Sequence, residues 1–200
     1  MENKYDSLLE LCRSRKSCRS FTGAQVPRDM VDKILAVAGN SPYAAGRRDW
    51  DIMAINDPRL IAEMAAAVRL RVQEISGTVR EDYCEWFKEY ARYFTVFESA
   101  PLILVPVFRH VPALSLMMDP SDPELTGMER DNYVKSISCV AMLVLLAAEA
   151  LGLGACYLTG PLIAEEELAR MLALKPGRNI GALIPIGYPL NNDNYNGTEK

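Results

Sequence analysis

Ala147-Ala148-Glu149-Ala150-Leu151-Gly152-Leu153-Gly154-Ala155-Cys156-Tyr157-Leu158-Thr159-Gly160-Pro161 is the stretch on which the reading of the fold turns. Up to Leu151 it is the end of a helical pattern that begins near Arg130, and Gly152 supplies the stop. Ala155 to Leu158 then reads as a short strand, closed by a tight Gly-Pro turn. Its glycines look superficially like a dinucleotide-binding loop, but they follow a helix and precede a strand. A phosphate loop of that kind needs the opposite order, so the stretch is local structure and not a Rossmann signal. The apolar run Ile137 to Leu151 inside the helix is short for a bilayer and carries Glu149, which reads as a buried helix.

Outward from this stretch the chain alternates helices with a few strands. On the far side come a helix over Ile163 to Leu172 with an acidic first turn and a last strand over Ile180 to Tyr188. A polar tail follows from about residue 190. On the near side, Tyr5, Leu8, Leu9 and Cys12 share one face of a helix ending near Arg15. Val26-Pro27-Arg28-Asp29 opens a second helix, which Gly39 stops. Trp50 to Asn56 reads as a strand, and Asp57-Pro58 opens a helix to about Ile75. Glu81 to Phe97 is aromatic-rich and helical, Pro101 to Phe108 is a nearly continuous apolar run expected to be a buried strand, and Val111 to Met128 reads as loop because of Pro112, Pro120 and Pro123. The expectation is one α+β domain over residues 1–200, with helices dominating a small sheet and no internal repeat or linker.

Bulk properties narrow the function classes. With half of its 200 residues hydrophobic and about a quarter charged, the chain has the balance of a soluble globular domain. A net charge of −4 argues against a general nucleic-acid or anionic-membrane binder. The N-terminal stretch scatters charges through any apolar run, unlike a secretory signal. Five cysteines (Cys12, Cys18, Cys84, Cys139 and Cys156), odd in number and without a CxxC pair, fit free thiols of a cytoplasmic protein. With His110 as the single histidine, neither a histidine-based metal site nor a catalytic triad is expected.

Three local features could carry chemistry. Arg13, Arg15, Lys16 and Arg19 are interleaved with Ser14, Ser17 and Ser20, a pattern that suits a small anion: arginine offers forked donors, lysine a point charge, serine further hydroxyls. A solvated helix end accounts for the same residues. Ser41-Pro42-Tyr43-Ala44-Ala45-Gly46-Arg47 is a small-residue turn where backbone can approach a flat ligand, or an ordinary turn. The third is the Gly152–Pro161 stretch itself. His110 and Cys156 read as structural residues, and Tyr83, Trp86, Phe87, Tyr90, Tyr93 and Phe94 as packing residues, one or two of which could line a pocket.

In order and spacing these features resemble the nitroreductase family of FMN enzymes. Arg15-Lys16-Ser17-Cys18-Arg19-Ser20-Phe21 is similar to its opening Arg-Arg-Ser-x-Arg-x-Phe. Ser41-Pro42 before a strand opened by Trp50, Ala100-Pro101 before an apolar strand, Ala147 to Cys156, and Ile184-Pro185-Ile186-Gly187-Tyr188-Pro189 match its later segments. The resemblance implies a nitroreductase-like α+β sandwich with a small central mixed sheet surrounded by helices, and an intertwined homodimer that binds FMN at its interface. It implies that Arg15, Lys16, Ser17 and Arg19 hold the phosphate, ribityl chain and pyrimidine edge. Ser41, Pro42, Tyr43, Ala44 and Ala45 would reach the flavin from the other subunit, and Tyr157, Leu158, Thr159 and Gly160 would pack on the isoalloxazine. The chain departs from the pattern at Gly46, where the family usually has asparagine, and at Arg48-Asp49, which replace Gln-Pro. Its tail also lacks the usual basic phosphate-gripping residue.

The implied activity is transfer of electrons from NAD(P)H through FMN to an electron-poor acceptor such as a nitroaromatic, quinone or enone. Arg19 would act as an electrostatic catalytic group, with no metal, nucleic acid or membrane involved. The alternatives are a flavoenzyme of this fold with another reaction or donor (a dehydrogenase, or a ferredoxin-dependent enzyme) and a non-catalytic protein that has lost the flavin.

Overall fold

Leu102–Arg109 forms strand β2, whose residues from Leu102 to Phe108 are all buried. The computed structural model describes residues 3–44, 48–111, 113–119 and 121–190. β2 is the spine of a five-stranded sheet. Strand β1 (Trp50–Ile55) pairs antiparallel along one side, with Trp50 opposite Phe108 and Ile55 opposite Ile103. Along the other side β2 pairs first with β5 (Ile184–Gly187) and then with β4 (Arg178–Ile180). β3 (Gly154–Ala155) lies outside β5 at the edge. All named pairs are antiparallel, so the sheet is antiparallel where the resemblance implies a mixed one; the parallel bridge of Ser17 with Ala155 lies outside the named strands.

Side chains of β2 alternate between two cores, as the period of two requires. Leu102, Leu104 and Phe108 face helix α2 (Arg28–Ala38) and helix α6 (Pro123–Ala150), where they meet Ile34, Ile137 and Val144. Ile103, Val105 and Val107 face the opposite layer, formed by helix α3 (Pro58–Ser76), the 3-10 turns Arg92–Ser99 and Gly160–Ala164, and helix α7 (Glu165–Met171). Helices thus cover both faces, which is why β2 reads as a continuous apolar run rather than an alternating one. Helix α1 (Lys4–Ser14) packs against α6, and helix α4 (Cys84–Ala91) continues into the 92–99 turn.

Three sequence expectations change, the first being the strand over Ala155 to Leu158, which is Gly154–Ala155 with Leu158 in a separate bridge to Leu183. Residues 111–128 are not all loop: helix α5 spans Leu114–Met117, and α6 begins at Pro123 rather than near Arg130. Pro123 occupies the first helical turn, where its missing N–H is harmless, and the Asp122 side chain caps the N–H groups of Glu124 and Leu125. The prolines were read as breakers, whereas one of them starts the helix. The last strand also divides into β4 and β5, separated by Gly181-Ala182-Leu183. Gly181 donates its N–H to the Pro106 carbonyl at 2.7 Å, and a Cβ there would lie 2.9 Å from Ile137, so the backbone is pressed against α6 at the break.

By length and composition α6 could cross a membrane, with a mean hydropathy of 1.7 over its most apolar window. In this fold its Ile137, Val140, Ala141, Val144 and Ala148 are core residues beneath the sheet.

Candidate active site

Chain geometry lays the basic strip along the edge of the sheet. Ser17 forms the parallel bridge to Ala155, and Cys18 N–H donates to the Ala155 carbonyl at 3.0 Å. Further on, Thr22 N–H donates to the Tyr188 carbonyl and Leu190 N–H to the Ser20 carbonyl. Residues 17–22 therefore extend the β3–β5 edge instead of leaving it as an unpaired ladder. Gly154 makes this approach possible: a Cβ there would fall 2.6 Å from Cys18 Sγ. Gly187 serves the same purpose beside Pro101 and Phe21. Two widely separated segments, Arg15–Arg19 and Tyr157–Gly160, are in this way brought together at one end of the sheet.

The charges gather on this edge. Cys156 is buried; its burial pushes the thiol up, while Arg19, a hydrogen bond with Ser17 and Arg15 pull the other way. The balance favours the protonated thiol, so Cys156 is a small buried side chain and not a nucleophile. Its surroundings nevertheless locate both arginines near the start of the Tyr157–Gly160 turn. Arg19 is half-buried, with Nη1 at 3.5 Å from the Ser17 carbonyl and its guanidinium 5.3 Å from the centre of the Tyr93 ring. Arg15 is half-buried and Lys16 exposed, and among the described residues no carboxylate lies within ion-pair distance of either. Elsewhere among the described residues, eight basic side chains are paired with Asp or Glu. A recess of about 700 Å³ lined by Asp6, Leu9, Glu10, Arg13, Ser14 and Lys16 flanks the strip.

On the turn, Leu158 exchanges both backbone hydrogen bonds with Leu183, and Cys156 N–H donates to Pro185. Tyr157 is half-buried, its hydroxyl 3.5 Å from Ser138 Oγ on α6. Thr159 is exposed, and Gly160 sits directly under the Phe94 ring, where a Cβ would meet ring carbons at 2.3 Å.

Ser41–Ala44 packs against β1 and α6. The Tyr43 ring packs on Trp50 and Tyr133, and Ala44 N–H donates to Ser136 Oγ on α6 at 3.1 Å. Burial, with Tyr133 and Asp49 nearby, holds the Tyr43 hydroxyl far above the usual tyrosine range, and that oxygen has no hydrogen-bond partner among the described residues. Ala45 and Gly46 lie outside the described residues. The Ser17–Ala155 bridge thus joins the first expected segment to the strand that leads into the third, while Ser41–Ala44 packs on Trp50, Tyr133 and α6. The sequence offers Tyr93 and Phe94 only as two of six aromatics, one or two of which could line a pocket, and does not single them out. Both carry the signature of any packed aromatic, and only the path of the 92–99 turn brings them there.

An α+β fold with helices on both faces of a small sheet, and an arginine-serine strip bound to its edge strand, defines a recognisable class. The nitroreductase family model matches residues 12–188, and the chain belongs to that family. Among curated proteins it is 26% identical over 189 residues to an iodotyrosine deiodinase of Hydra vulgaris, covering 90% of this chain and 64% of that one. The chain thus spans a little under two thirds of that relative's length. Among solved structures it superposes on a BluB-like flavoprotein from Clostridium difficile 630 with a TM-score of 0.83 and 20% identity, over 96% of this chain and 94% of the other. It also superposes on an oxidized iodotyrosine deiodinase bound to FMN and 3-iodo-L-tyrosine with a TM-score of 0.71 and 22% identity, over 92% and 90% of the two chains.

Proposed function

We propose that the chain is an FMN-dependent oxidoreductase that takes electrons from NAD(P)H and reduces an electron-poor acceptor such as a nitroaromatic, quinone or enone. The observation that carries this reading is the union of the Arg15–Arg19 strip with the Tyr157–Gly160 turn through the Ser17–Ala155 bridge. The donor set fits the cofactor. Arg15 and Lys16, which form no ion pair among the described residues, suit a phosphate; Ser17 offers a hydroxyl, and the Gly160 turn offers a close approach for a flat ring. FMN, when bound, supplies the hydride and electron chemistry. The chain's part is to bind, orient and polarise. Arg19 stabilises negative charge at the pyrimidine edge. With the Leu158 and Cys156 N–H groups held by the sheet and the Tyr157 N–H directed at the Cys156 sulfur, a backbone donor from the turn falls to Thr159 or Gly160. Replacing Arg19 by glutamine is expected to slow reduction more than it lowers FMN occupancy.

The reading includes a homodimer. Tyr5 and Leu8 on α1 and Met128 and Met142 on α6 are large apolar side chains left 45–66% exposed, and among the described residues no hydrogen bond joins Ser41–Ala44 to Arg15–Arg19 or Tyr157–Gly160. A second subunit accounts for both facts.

A second reading keeps the cofactor and changes the acceptor: reductive removal of iodine or another halogen from an aromatic ring. The likeness to deiodinases and the exposed, stacked Trp86–Tyr90 pair favour it. The deciding experiment is a visible spectrum of the purified protein, followed by anaerobic titration with NADH and NADPH, then mixing with a nitroaromatic, a quinone or 3-iodotyrosine. A flavin spectrum bleached by nicotinamide and restored by the first two acceptors supports the first reading. Restoration by iodotyrosine with iodide release supports the second. A colourless protein that stays so after FMN is added defeats both.

A further inference from the structure

We propose that Tyr93 is a positioning residue, which presets the Arg19 guanidinium for the cofactor site before the cofactor arrives. This rests on the FMN reading above. Its basis is a pair of consecutive rings in the 92–99 turn. Tyr93 lies beneath the Arg19 guanidinium, 5.3 Å from ring centre to guanidinium carbon. Phe94, the next residue, lies against Gly160 so closely that any side chain there would strike its ring at 2.3 Å. One turn of backbone therefore sets the distance between the charged strip and the Gly160 turn, two walls that come from opposite ends of the sequence.

Packing explains Phe94 but not Tyr93. Phe94 is buried within the core behind β2, with Phe97, Leu158 and Ala164. Tyr93 belongs to neither core and remains 42% exposed, so the contact that distinguishes it is the one with Arg19. An arginine side chain has many rotamers, and ordering it on ligand binding weakens affinity. A cation over an aromatic face is held laterally while its N–H edges stay free for in-plane hydrogen bonds. The arrangement thus restrains the guanidinium from its face, beside the in-plane contact of Nη1 with the Ser17 carbonyl. Because the Arg19 charge matters most to the negatively charged reduced ring, positioning it should favour reduced over oxidised FMN.

The test uses the full chain in two measurements. In the first, apoprotein is titrated with oxidised FMN and, anaerobically, with dithionite-reduced FMN. For Tyr93→Leu, the preference for the reduced form should fall about five- to ten-fold, or ~20 to 30 mV in midpoint potential. Tyr93→Phe, which keeps the ring, should stay within about two-fold of wild type. In an Arg19→Gln background, Tyr93→Leu should cause no further change. In the second, without cofactor, a double-mutant cycle on thermal unfolding of Tyr93→Leu and Arg19→Gln should be non-additive by about two- to five-fold in the unfolding equilibrium. Additive effects in that cycle overturn the contact. Equal losses for both redox forms overturn the positioning role and leave packing. A wild-type protein that binds no FMN while the cycle stays non-additive overturns the function proposed above, and with it the role of the pair toward a cofactor.

Discussion

Two regions of this molecule carry dense positive charge, and they handle it in opposite ways. On α3 and α4, Arg71 pairs with Glu74, Lys88 with Glu85, and Arg92 is joined to Glu89, all at helical spacing. Arg69 reaches across to Glu98 with two hydrogen bonds. On the sheet edge, the sequence from Arg13 to Arg19 contains no acidic residue, and neither Arg15 nor Lys16 meets a carboxylate among the described residues. The difference teaches that basic residues become candidates for an anion site when their neighbours do not neutralise them, not when they are merely numerous.

The strongest challenge to this comparison is to remove the charges from each region in turn. Arg15→Ala with Lys16→Ala deletes two charge-assisted contacts to a phosphate, each worth about 1.5 kcal/mol or more, so FMN affinity should fall on the order of a hundred-fold. Arg71→Ala with Lys88→Ala removes as much charge from the paired region and should change affinity less than about two-fold, since distant exposed charges are screened. Fluorescence titration of FMN into each apoprotein measures both. Similar losses in the two variants would mean that overall charge, and not the strip, attracts the cofactor.

Sequence and structure agree where the signal is local. The apolar run of β2, the helical stripe of α2 with its Gly39 stop, and the acid-free strip are all properties of neighbouring residues. What could not be read depends on partners far along the chain. Pro123 looks the same whether it breaks a helix or opens one, and Asp122 beside it was the available clue. The break at Gly181 follows from pressure by Ile137 on α6. Tyr43 packs into the core of its own chain because Trp50 and Tyr133 converge on it, and no spacing rule records that. Tyr93 and Phe94 reach the site only through the course of the 92–99 turn.

Carboxylates divide as the cations do, and this sharpens the comparison. Glu98 answers an arginine, but Glu129 on α6 answers backbone: it is buried, accepts the N–H groups of Leu114 and Ser115 at 2.6 and 3.0 Å, and accepts the Ser115 hydroxyl at 2.6 Å. The hydrogen bond from Ser115 leads the effects that bring it from 4.5 down to about 2, with burial opposing. Between those values the unfolded chain binds more protons than the folded one, so stability rises with pH across that window. The contribution of Glu129 is therefore complete above pH 4.5 and is lost as pH falls through about 2. Glu129→Gln keeps the shape but loses the charge, and leaves α5 held by a weaker acceptor. Urea unfolding at a series of pH values should show a clear loss for this variant at neutral pH that shrinks toward pH 2. A loss independent of pH would assign the effect to geometry instead.

The smallest expected effect tests the neutralised region on its own terms. Arg69 and Glu98 form a two-point contact, which holds the carboxyl of Glu98 below its usual range, yet their side chains are 46% and 40% exposed. Water competes for both partners, so the pair should add only about 0.5 kcal/mol despite its geometry. Arg69→Ala should lower stability by that amount at low salt, and the difference from wild type should largely vanish near 1 M salt, where the Debye length is about 3 Å. A loss of several kcal/mol that persists at high salt would show that this pair braces α3 against the 92–99 turn. The ion pairs of the outer layer would then hold Tyr93 and Phe94 in place, and the two regions would no longer be independent.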